Sequence, residues 1–326
     1  MENLCGLILA AGEGRRMKTS KPKTLLKVLS KPMLGWVLDA AKKSKIRKIC
    51  IVAGYGREFL EKYLSSFSSR NPDLAITMVV QKERLGTGHA VLLARKFLEN
   101  ETADNVVVLN GDSPLLDSNT IKKAYELHKC EKNDATVISA KVKNPFGYGR
   151  IIRKNKKVTD IVEQKDANEK TLKINEINSG AYWFRKKSLL SILHLIKNNN
   201  VQNEYYITDA VKLLLLKGQK IGSFDSGCGD LVLGANDPEQ LNIVNAVACQ
   251  RIIRNHIKNG VDIPNTEGIT IGPDVTFGSS CKVFKNSIIL GKMHIGNNCK
   301  IGPDVFIDGQ NIKPRDRIFG NNIFVF

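Results

Sequence analysis

The sequence predicts an α/β fold, a mostly parallel sheet wrapped by helices, followed by a short hexapeptide β-helix. Three observations predict it. Continuous β-branched runs alternate with helix-period segments through the first half of the chain. A length of 326 residues suits two domains better than one. Near the end, apolar residues recur in unbroken steps of six, a period that neither helix nor ordinary strand produces.

Leu4–Leu9, Lys48–Ala53, Ala75–Val80 and Asn105–Leu109 read as continuous buried strands. Between them, Pro32 suits a first helical position, with Met33, Leu34, Trp36, Val37, Ala40 and Ala41 on one side. Residues 88–98 and 118–130 repeat the helical pattern. Beyond Asp134 come shorter strands (134–142, 149–153, 157–163, 179–184), then helices near 187–197 and 207–217. Asp237-Pro238 reads as a helix start, and the stretch through Leu241, Val244, Val247, Ala248, Ile252, Ile253 and Ile257 stops at Gly260. The expected division is a first domain over 1–236, a connecting helix over 237–260 and the repeat region over 261–326.

The repeat region is carried by Ile271, Phe277, Val283, Ile289, Ile295, Ile301 and Ile307. Four positions beyond come mostly small or apolar residues: Val275, Cys281, Ser287, Met293, Cys299 and Val305. Three hexapeptides close one triangular coil, so the run makes roughly two and a third coils. Lys313-Pro314 breaks the register, and Ile318, Phe319, Ile323, Phe324 and Phe326 are expected to need cover from copies of the same chain.

Composition excludes several function classes. The chain is 42% hydrophobic and 25% charged, and no run approaches the roughly 18 apolar residues of a membrane span. The N-terminus lacks the basic region and cleavage site of a secretory leader. Seven scattered cysteines without C-x-x-C read as buried thiols, and five scattered histidines disfavour zinc, so a cytoplasmic protein is expected. The net charge of +18 invites a nucleic-acid partner, but residues 1–50 hold 12 basic against 3 acidic side chains and the remainder is spread thinly. No aromatic-interleaved basic stripe or DNA-binding motif accompanies it, so neither nucleic acid nor membrane is an expected partner.

The concentrated charge lies after the first strand, in Leu9-Ala10-Ala11-Gly12-Glu13-Gly14-Arg15-Arg16-Met17, then Lys18, Lys21 and Lys23. Glycines there let the backbone approach a ligand and present N–H groups to phosphate oxygens. Arginine grips phosphate through paired bonds, and lysine supplies a point charge. The loop is no Walker A motif, and a dinucleotide reading lacks its third glycine and its acidic residue after the second strand. The fourth strand ends in Asn110-Gly111-Asp112, which aims a carboxylate into the crevice where parallel sheets bind ligands. One carboxylate opposite a triphosphate suits Mg²⁺, which keeps waters and takes phosphate oxygens for the rest.

These motifs come in one order with Gln81 and Gly86-Thr87-Gly88-His89-Ala90, then G-Y-G-R at 147–150, E-x-K at 163–165, E-I-N-S-G at 176–180, E-Y-Y-I-T-D at 204–209, and Asn236 before a helix with hexapeptides beyond. Together they resemble the bacterial N-acetylglucosamine-1-phosphate uridyltransferases, the pyrophosphorylase half of a usually bifunctional enzyme. The resemblance implies a Rossmann-like nucleotidyltransferase domain with a mixed, mostly parallel sheet, followed by a short left-handed parallel β-helix. It implies transfer of UMP from UTP to N-acetylglucosamine-1-phosphate, giving UDP-N-acetylglucosamine and pyrophosphate with Mg²⁺ as cofactor. Leu9, Ala10, Ala11 and Gly12 would cradle the nucleotide, with Arg16 and Lys23 on its phosphates. Gln81, Gly86 and Thr87 would read the uracil edge, and Gly111 leads to Asp112, which with Asn236 would hold Mg²⁺. Gly149, Glu163 and Asn178 would bind the sugar. A homo-oligomer, a trimer through the β-helix, is expected.

Two departures stand out. Asn110 occupies a place where the family commonly has an aromatic residue, which leaves another sugar-1-phosphate or nucleotide, such as glucose-1-phosphate or dTTP, as an alternative. The bifunctional relatives also need many more coils to build a CoA-dependent acetyltransferase, so acetylation is not expected here. A non-catalytic nucleotide-sugar-binding subunit is the alternative of a different class, and Arg16, Lys23, Asp112 and Asn236, all present together, count against it.

Overall fold

The computed structural model describes residues 3–309. Lys313-Pro314 and the apolar residues from Ile318 onward lie outside them. Residues up to Leu25, with Met33–Asp237, form one compact unit; Leu26–Pro32 and the described residues from Pro238 onward form a second.

In chain order the elements begin with β1 (Leu4–Ala10), the two-residue β2 (Lys27–Val28) and β3 (Lys31–Pro32), α1 (Met33–Lys43), β4 (Lys48–Ala53), α2 (Arg57–Ser69) and β5 (Ala75–Val80). Next come α3 (Thr87–Leu93), α4 (Arg95–Asn100), β6 (Asn105–Asn110), α5 (Ser118–Cys130) and β7 (Ala135–Lys141). Then follow β8 (Arg150–Lys154), β9 (Lys157–Val162), α6 (Glu169–Leu172), β10 (Glu176–Arg185), α7 (Lys186–Leu190), α8 (Thr208–Leu216) and β11 (Ile221–Asp225).

The sheet runs β11-β7-β10-β6-β1-β4-β5, with β8 on β10 and β9 on β8. β1 pairs parallel with both β4 and β6, while β10 runs antiparallel to β6, β7 and β8, so the sheet is mixed. Period-two alternation sends side chains to two cores. Cys5, Leu7, Cys50, Val52, Val106 and Val108 face α3, α4, α7 and α8. Ile8, Ala10, Ile49, Ile51, Val107 and Leu109 face α1, α2 and α5.

The chain departs from its pattern at definite places. Ala75–Val80 forms a strand but is not buried; β5 is the sheet edge and alternates exposed with half-buried residues. Pro32 is not the first helical residue: it pairs with Lys27 in the β2–β3 ladder. The single helix expected over 88–98 is two helices, because the backbone at Ala94 leaves helical geometry (φ −81°, ψ 3°). Not every cysteine is buried: Cys130 and Cys228 are exposed, while burial raises the thiols of Cys5 and Cys50 to about 12. The longer elements not foreseen are α2 and β11; the short β2, β3 and α6 were not foreseen either.

The second unit contains α9 (Pro238–Lys258), of which only Val244, Ala248 and Ile253 are buried, a narrower stripe than the sequence suggests. Beyond it lie β12 (Thr270–Ile271), β13 (Val275–Phe277), β14 (Lys282–Val283), β15 (Ile288–Leu290), β16 (Met293–Ile295), β17 (Lys300–Ile301) and β18 (Phe306–Asp308). They make three parallel ladders, β12-β15-β18, β13-β16 and β14-β17. Thr270 pairs with Ile288 and Ile288 with Phe306, so each ladder advances 18 residues, three hexapeptides. Six of the seven repeating apolar residues are buried. Phe277 is half-buried and meets His256 of α9 edge-on, with ring centroids 4.9 Å apart. Among the described residues no helix is long and apolar enough to cross a membrane.

Candidate active site

β1 leads in the chain to β4 and β5 on one side of the sheet, and β6 is added on its other side, so chain order reverses between β1 and β6. Open α/β sheets bind ligands beyond the carboxyl ends of the strands at such a point. A cleft of about 860 Å³ lies there. Leu9, Ala11 and Gly12 line it from the end of β1, and Asn110 and Asp112 from the end of β6. Gln81, Gly86 and Thr87 form a third wall, and Lys23 and Thr24 a fourth. Ala10 is buried in the adjoining core. Gly111 holds the two strand ends together through its N–H to Leu9 O at 2.9 Å.

Lys23 is the centre of the arrangement. Its Nζ donates to Asn236 Oδ1 at 2.8 Å and ion-pairs with Asp112. Gly14, at φ +66°, brings the basic loop down onto the Lys23 stem, where a Cβ would sit 2.7 Å from Lys23 Cβ. Two hard oxygens thus converge on one cation. Among the described residues no group of three His, Cys, Asp or Glu side chains is placed to hold a metal ion, so a divalent ion here would draw most of its ligands from water and phosphate, as Mg²⁺ does. The donor set fits that ion. Beside it, Thr24 Oγ1 is buried in the wall with no partner among the described residues. Arg16 lies outside this wall, an exposed side chain on the single turn Arg15–Met17.

On the third wall, both amide hydrogens of Gln81 are engaged, one by Gly86 O at 3.0 Å and one facing His89 Nδ1 at 3.0 Å. No hydrogen bond among the described residues reaches its Oε1, so Gln81 offers a ligand an acceptor only. Gly86 takes φ +100°, and a Cβ there would lie 2.6 Å from Tyr205 O. This glycine seats residues 204–208 against the wall: Tyr205 N donates to Leu85 O (2.7 Å), Gly88 N to Tyr205 O (2.6 Å) and Ile207 N to Thr87 Oγ1 (3.0 Å).

Gly149, Glu163 and Asn178, the three residues expected to bind the sugar, gather in a separate cluster outside the lining of the cleft. A Cβ on Gly149 would sit 3.3 Å from Glu163 Oε2, and Asn178 N donates to Gly149 O at 2.9 Å. Asn178 Nδ2 donates to Tyr182 OH at 2.6 Å, and Thr208 Oγ1 to Glu163 Oε1 at 3.3 Å. Burial pushes the Glu163 carboxyl up; the Thr208 hydroxyl opposes this, and the charges of Asp166, Asp209 and Glu204 add to it. Two links join cluster and cleft. One is the 204–208 segment, which carries Glu204 on the cleft and Thr208 on Glu163. The other is a bulge in β10, where Gly180 at φ +76° leaves space that Asn110 fills with its amide. Tyr182, Thr208 and Glu204 were not foreseen as site residues; Glu204 and Thr208 belong to the block at 204–209, while Tyr182 lies two residues beyond the block at 176–180.

The nucleotidyl transferase family model matches residues 5–228, which contain both clusters apart from Asn236. The chain belongs to the nucleotidyl transferase family. Within that family it is 40% identical over 305 residues to the bifunctional protein GlmU of Caldanaerobacter subterraneus subsp. tengcongensis, covering 93% of this chain and 64% of that one. To the bifunctional protein GlmU of Clostridioides difficile it is 39% identical, covering 95% and 66%. This nucleotidyl transferase chain therefore spans about two thirds of the length of the curated relatives it matches. Among solved structures, a Bacillus anthracis protein described as a glucose-1-phosphate thymidylyltransferase aligns with TM-score 0.62 and 26% identity over 75% of this chain and 95% of that one. A UDP-glucose pyrophosphorylase shares the fold at TM-score 0.62 and 22% identity, over 77% of this chain and 100% of that one.

Proposed function

We propose that this protein transfers UMP from UTP to N-acetylglucosamine-1-phosphate, giving UDP-N-acetylglucosamine and pyrophosphate with Mg²⁺. The observation that carries the reading is the convergence of Lys23, Asp112 and Asn236 at the switch-point cleft, in a chain about 40% identical to proteins named GlmU. The nucleophile is a phosphate oxygen, already anionic near pH 7 because a phosphate monoester's second pKa is about 6. No general base is needed. The barrier is the approach of two polyanions, so catalysis rests on positioning and positive charge. In this reading Leu9–Gly12 cradle the nucleotide and Gln81 Oε1 accepts from the uracil imide. Arg16 and Lys23 offset phosphate charge, and Gly149, Glu163 and Asn178 seat the sugar. Asp112 and Asn236 would hold Mg²⁺, which supplies further neutralisation of the phosphate oxygens when bound.

We carry the same reading to the rest of the chain: a catalytic domain over 1–236, a connecting helix over 237–260, and a left-handed parallel β-helix from 261 onward. The 18-residue ladders support the last. Assembly into a trimer through that coil is part of the same reading, and Phe306 of β18 is an exposed apolar side chain on it. A cytoplasmic location is in keeping with seven free cysteines.

The test is pyrophosphate release from purified protein with Mg²⁺, UTP or dTTP, and a panel of sugar-1-phosphates. Release with UTP and N-acetylglucosamine-1-phosphate above all other pairs is the expected result. Preference for glucose-1-phosphate or dTTP would favour a second reading, for which polar Asn110 in the cleft wall speaks. No release with any pair would leave a binding subunit.

Glu163 adds a pH signature. Its carboxyl titrates above the usual value of about 4.3, so the ionised, hydrogen-bond-accepting form is lost at a higher pH than for an ordinary glutamate. KM for the sugar phosphate is expected to rise as pH falls through that raised pKa, with kcat changing less. In a Glu163→Gln variant that acid limb should vanish and KM should stay high throughout. Persistence of the limb would assign it to another group.

A further inference from the structure

A second cavity, of about 330 Å³, opens at the opposite end of the sheet. It is lined where β6 begins, at Asp104 and Asn105, where α5 ends, at His128, Lys129 and Lys132, and where β10 passes into α7. Arg185, Lys186 and Lys187 come from that last junction. β6 connects the two sites: Asn105 is at this cavity and Asn110 at the cleft. Five steps of about 3.3 Å put roughly 17 Å between them.

The electrostatics are lopsided. Five cationic side chains line the cavity with a single carboxylate, Asp104. Arg185 is paired with a carboxylate outside the lining, whereas Lys186 donates to a carbonyl. Arg185 Nη1 lies 3.3 Å from Asp134 Oδ1, its Nη2 donates to Lys132 O at 3.4 Å, and Lys186 donates to the carbonyl of Glu101. Among the described residues no carboxylate pairs with Lys132 or Lys187. The carboxyl end of α5 adds only about half a negative charge. Lys132 also sits at φ +56°, a left-handed position after a helix that glycine or asparagine fills at less cost. The fold therefore keeps a lysine where its backbone favours another residue.

The floor is rigid. Buried His128 places Nδ1 2.9 Å from Thr136 Oγ1 and Nε2 3.1 Å from Asn105 Oδ1, and Asn133 Nδ2 donates to Thr136 Oγ1 at 3.1 Å. Burial and the Arg185 guanidinium hold the imidazole down at about 4, so it is neutral near pH 7. The positive charge comes from lysine and arginine alone. A fixed concave floor under several convergent cations is the general form of a phosphate-binding site. At 330 Å³ the cavity stands at the small end of the roughly 300–1,000 Å³ range of ligand pockets, and no Phe, Tyr or Trp side chain lines it for a base to stack on.

We propose that this cavity binds a small phosphate-bearing ligand, a phosphate monoester or an inorganic phosphate, at a site distinct from the cleft and joined to it by β6. The proposal does not depend on which reaction the cleft performs. Part of the excess positive charge outside residues 1–50 finds a use here.

Histidine-selective isotope labelling of the intact chain tests it. The imidazole of His128 reports from the floor, and because it is already neutral its displacement does not register protonation. Titration with inorganic phosphate, pyrophosphate and glucose 6-phosphate, against sodium chloride at matched ionic strength, should shift the His128 resonance saturably with at least one phosphate and not with chloride. A tighter response to glucose 6-phosphate would identify a monoester site, and a tighter response to the inorganic ions a phosphate or pyrophosphate site. In a Lys132→Ala/Lys187→Ala variant, both substitutions being on exposed side chains, affinity should fall roughly tenfold or more, the scale of charge-assisted contacts. Absence of a saturable shift with every phosphate overturns the proposal, as does equal affinity in the variant.

Discussion

An Asp112→Asn variant is expected to release pyrophosphate on the order of a hundred- to a thousandfold more slowly than the parent, the scale of losing one preorganised charge-stabilising group. The amide keeps the shape of the carboxylate and removes its charge. Lys23 would then face two amide oxygens, and an ion beside Asp112 and Asn236 would meet no anionic protein ligand. The Mg²⁺ concentration for half-maximal rate should rise along with the loss of rate. Stability should change less. The pair is mostly but not fully buried, with side-chain exposures of 11% and 22%, so breaking it is expected to cost about 1–3 kcal/mol, less than for fully buried ions. Thermal melting of the variant separates the two effects. A melting point near that of the parent with lost turnover fits the assignment, whereas near-normal turnover at an unchanged Mg²⁺ requirement would remove Asp112 from it.

The second large effect is structural and needs no assumption about substrate. Gly86→Ala should destabilise the first unit by about 2–6 kcal/mol, from a backbone conformation only glycine adopts readily and from a collision with main chain. The Cβ would sit 2.6 Å from Tyr205 O, an atom tied to Gly88 N and unable to swing aside as a side chain would. Residues 204–208 must then move, and with them Thr208 on Glu163 and Glu204 in the cleft wall. A lowered melting midpoint is expected, together with weakened binding of both nucleotide and sugar phosphate in whatever protein remains folded. Unchanged melting would mean the segment yields freely.

The sequence and the structure agree best where a local pattern has one physical solution. β4 and β5 have the bounds their apolar runs suggest, α5 begins after Asp117, whose side chain accepts from Thr120 N, and the six-residue period becomes an 18-residue ladder. Leu9, Ala11 and Gly12 at the end of β1 and Asp112 beyond β6 line one cleft where chain order reverses, while Arg16 lies outside its wall. What the sequence hid is set by partners distant along the chain. α2 rests on Leu60, Leu64 and Phe67 among exposed polar residues, too sparse a stripe to stand out. The edge position of β5 follows from what fails to pair with it. Lys23 carries a basic label in sequence, yet its neighbours are Asp112 and Asn236, the latter 213 residues away. No motif announces that this lysine is already paired before any phosphate arrives.

The segment Leu26–Pro32 belongs to the second unit although the 205 residues of Met33–Asp237 separate it from the rest. This has a consequence for synthesis on the ribosome. Leu29 N donates to Asn245 Oδ1 at 3.0 Å, and Val28 is wholly buried, so the loop needs α9 to cover it. At roughly 5–20 residues per second, α9 arrives about 10–40 s later. For that interval the nascent first unit displays an apolar loop awaiting its cover, a stretch on which chaperones could act. No single cut through the chain separates the two units cleanly.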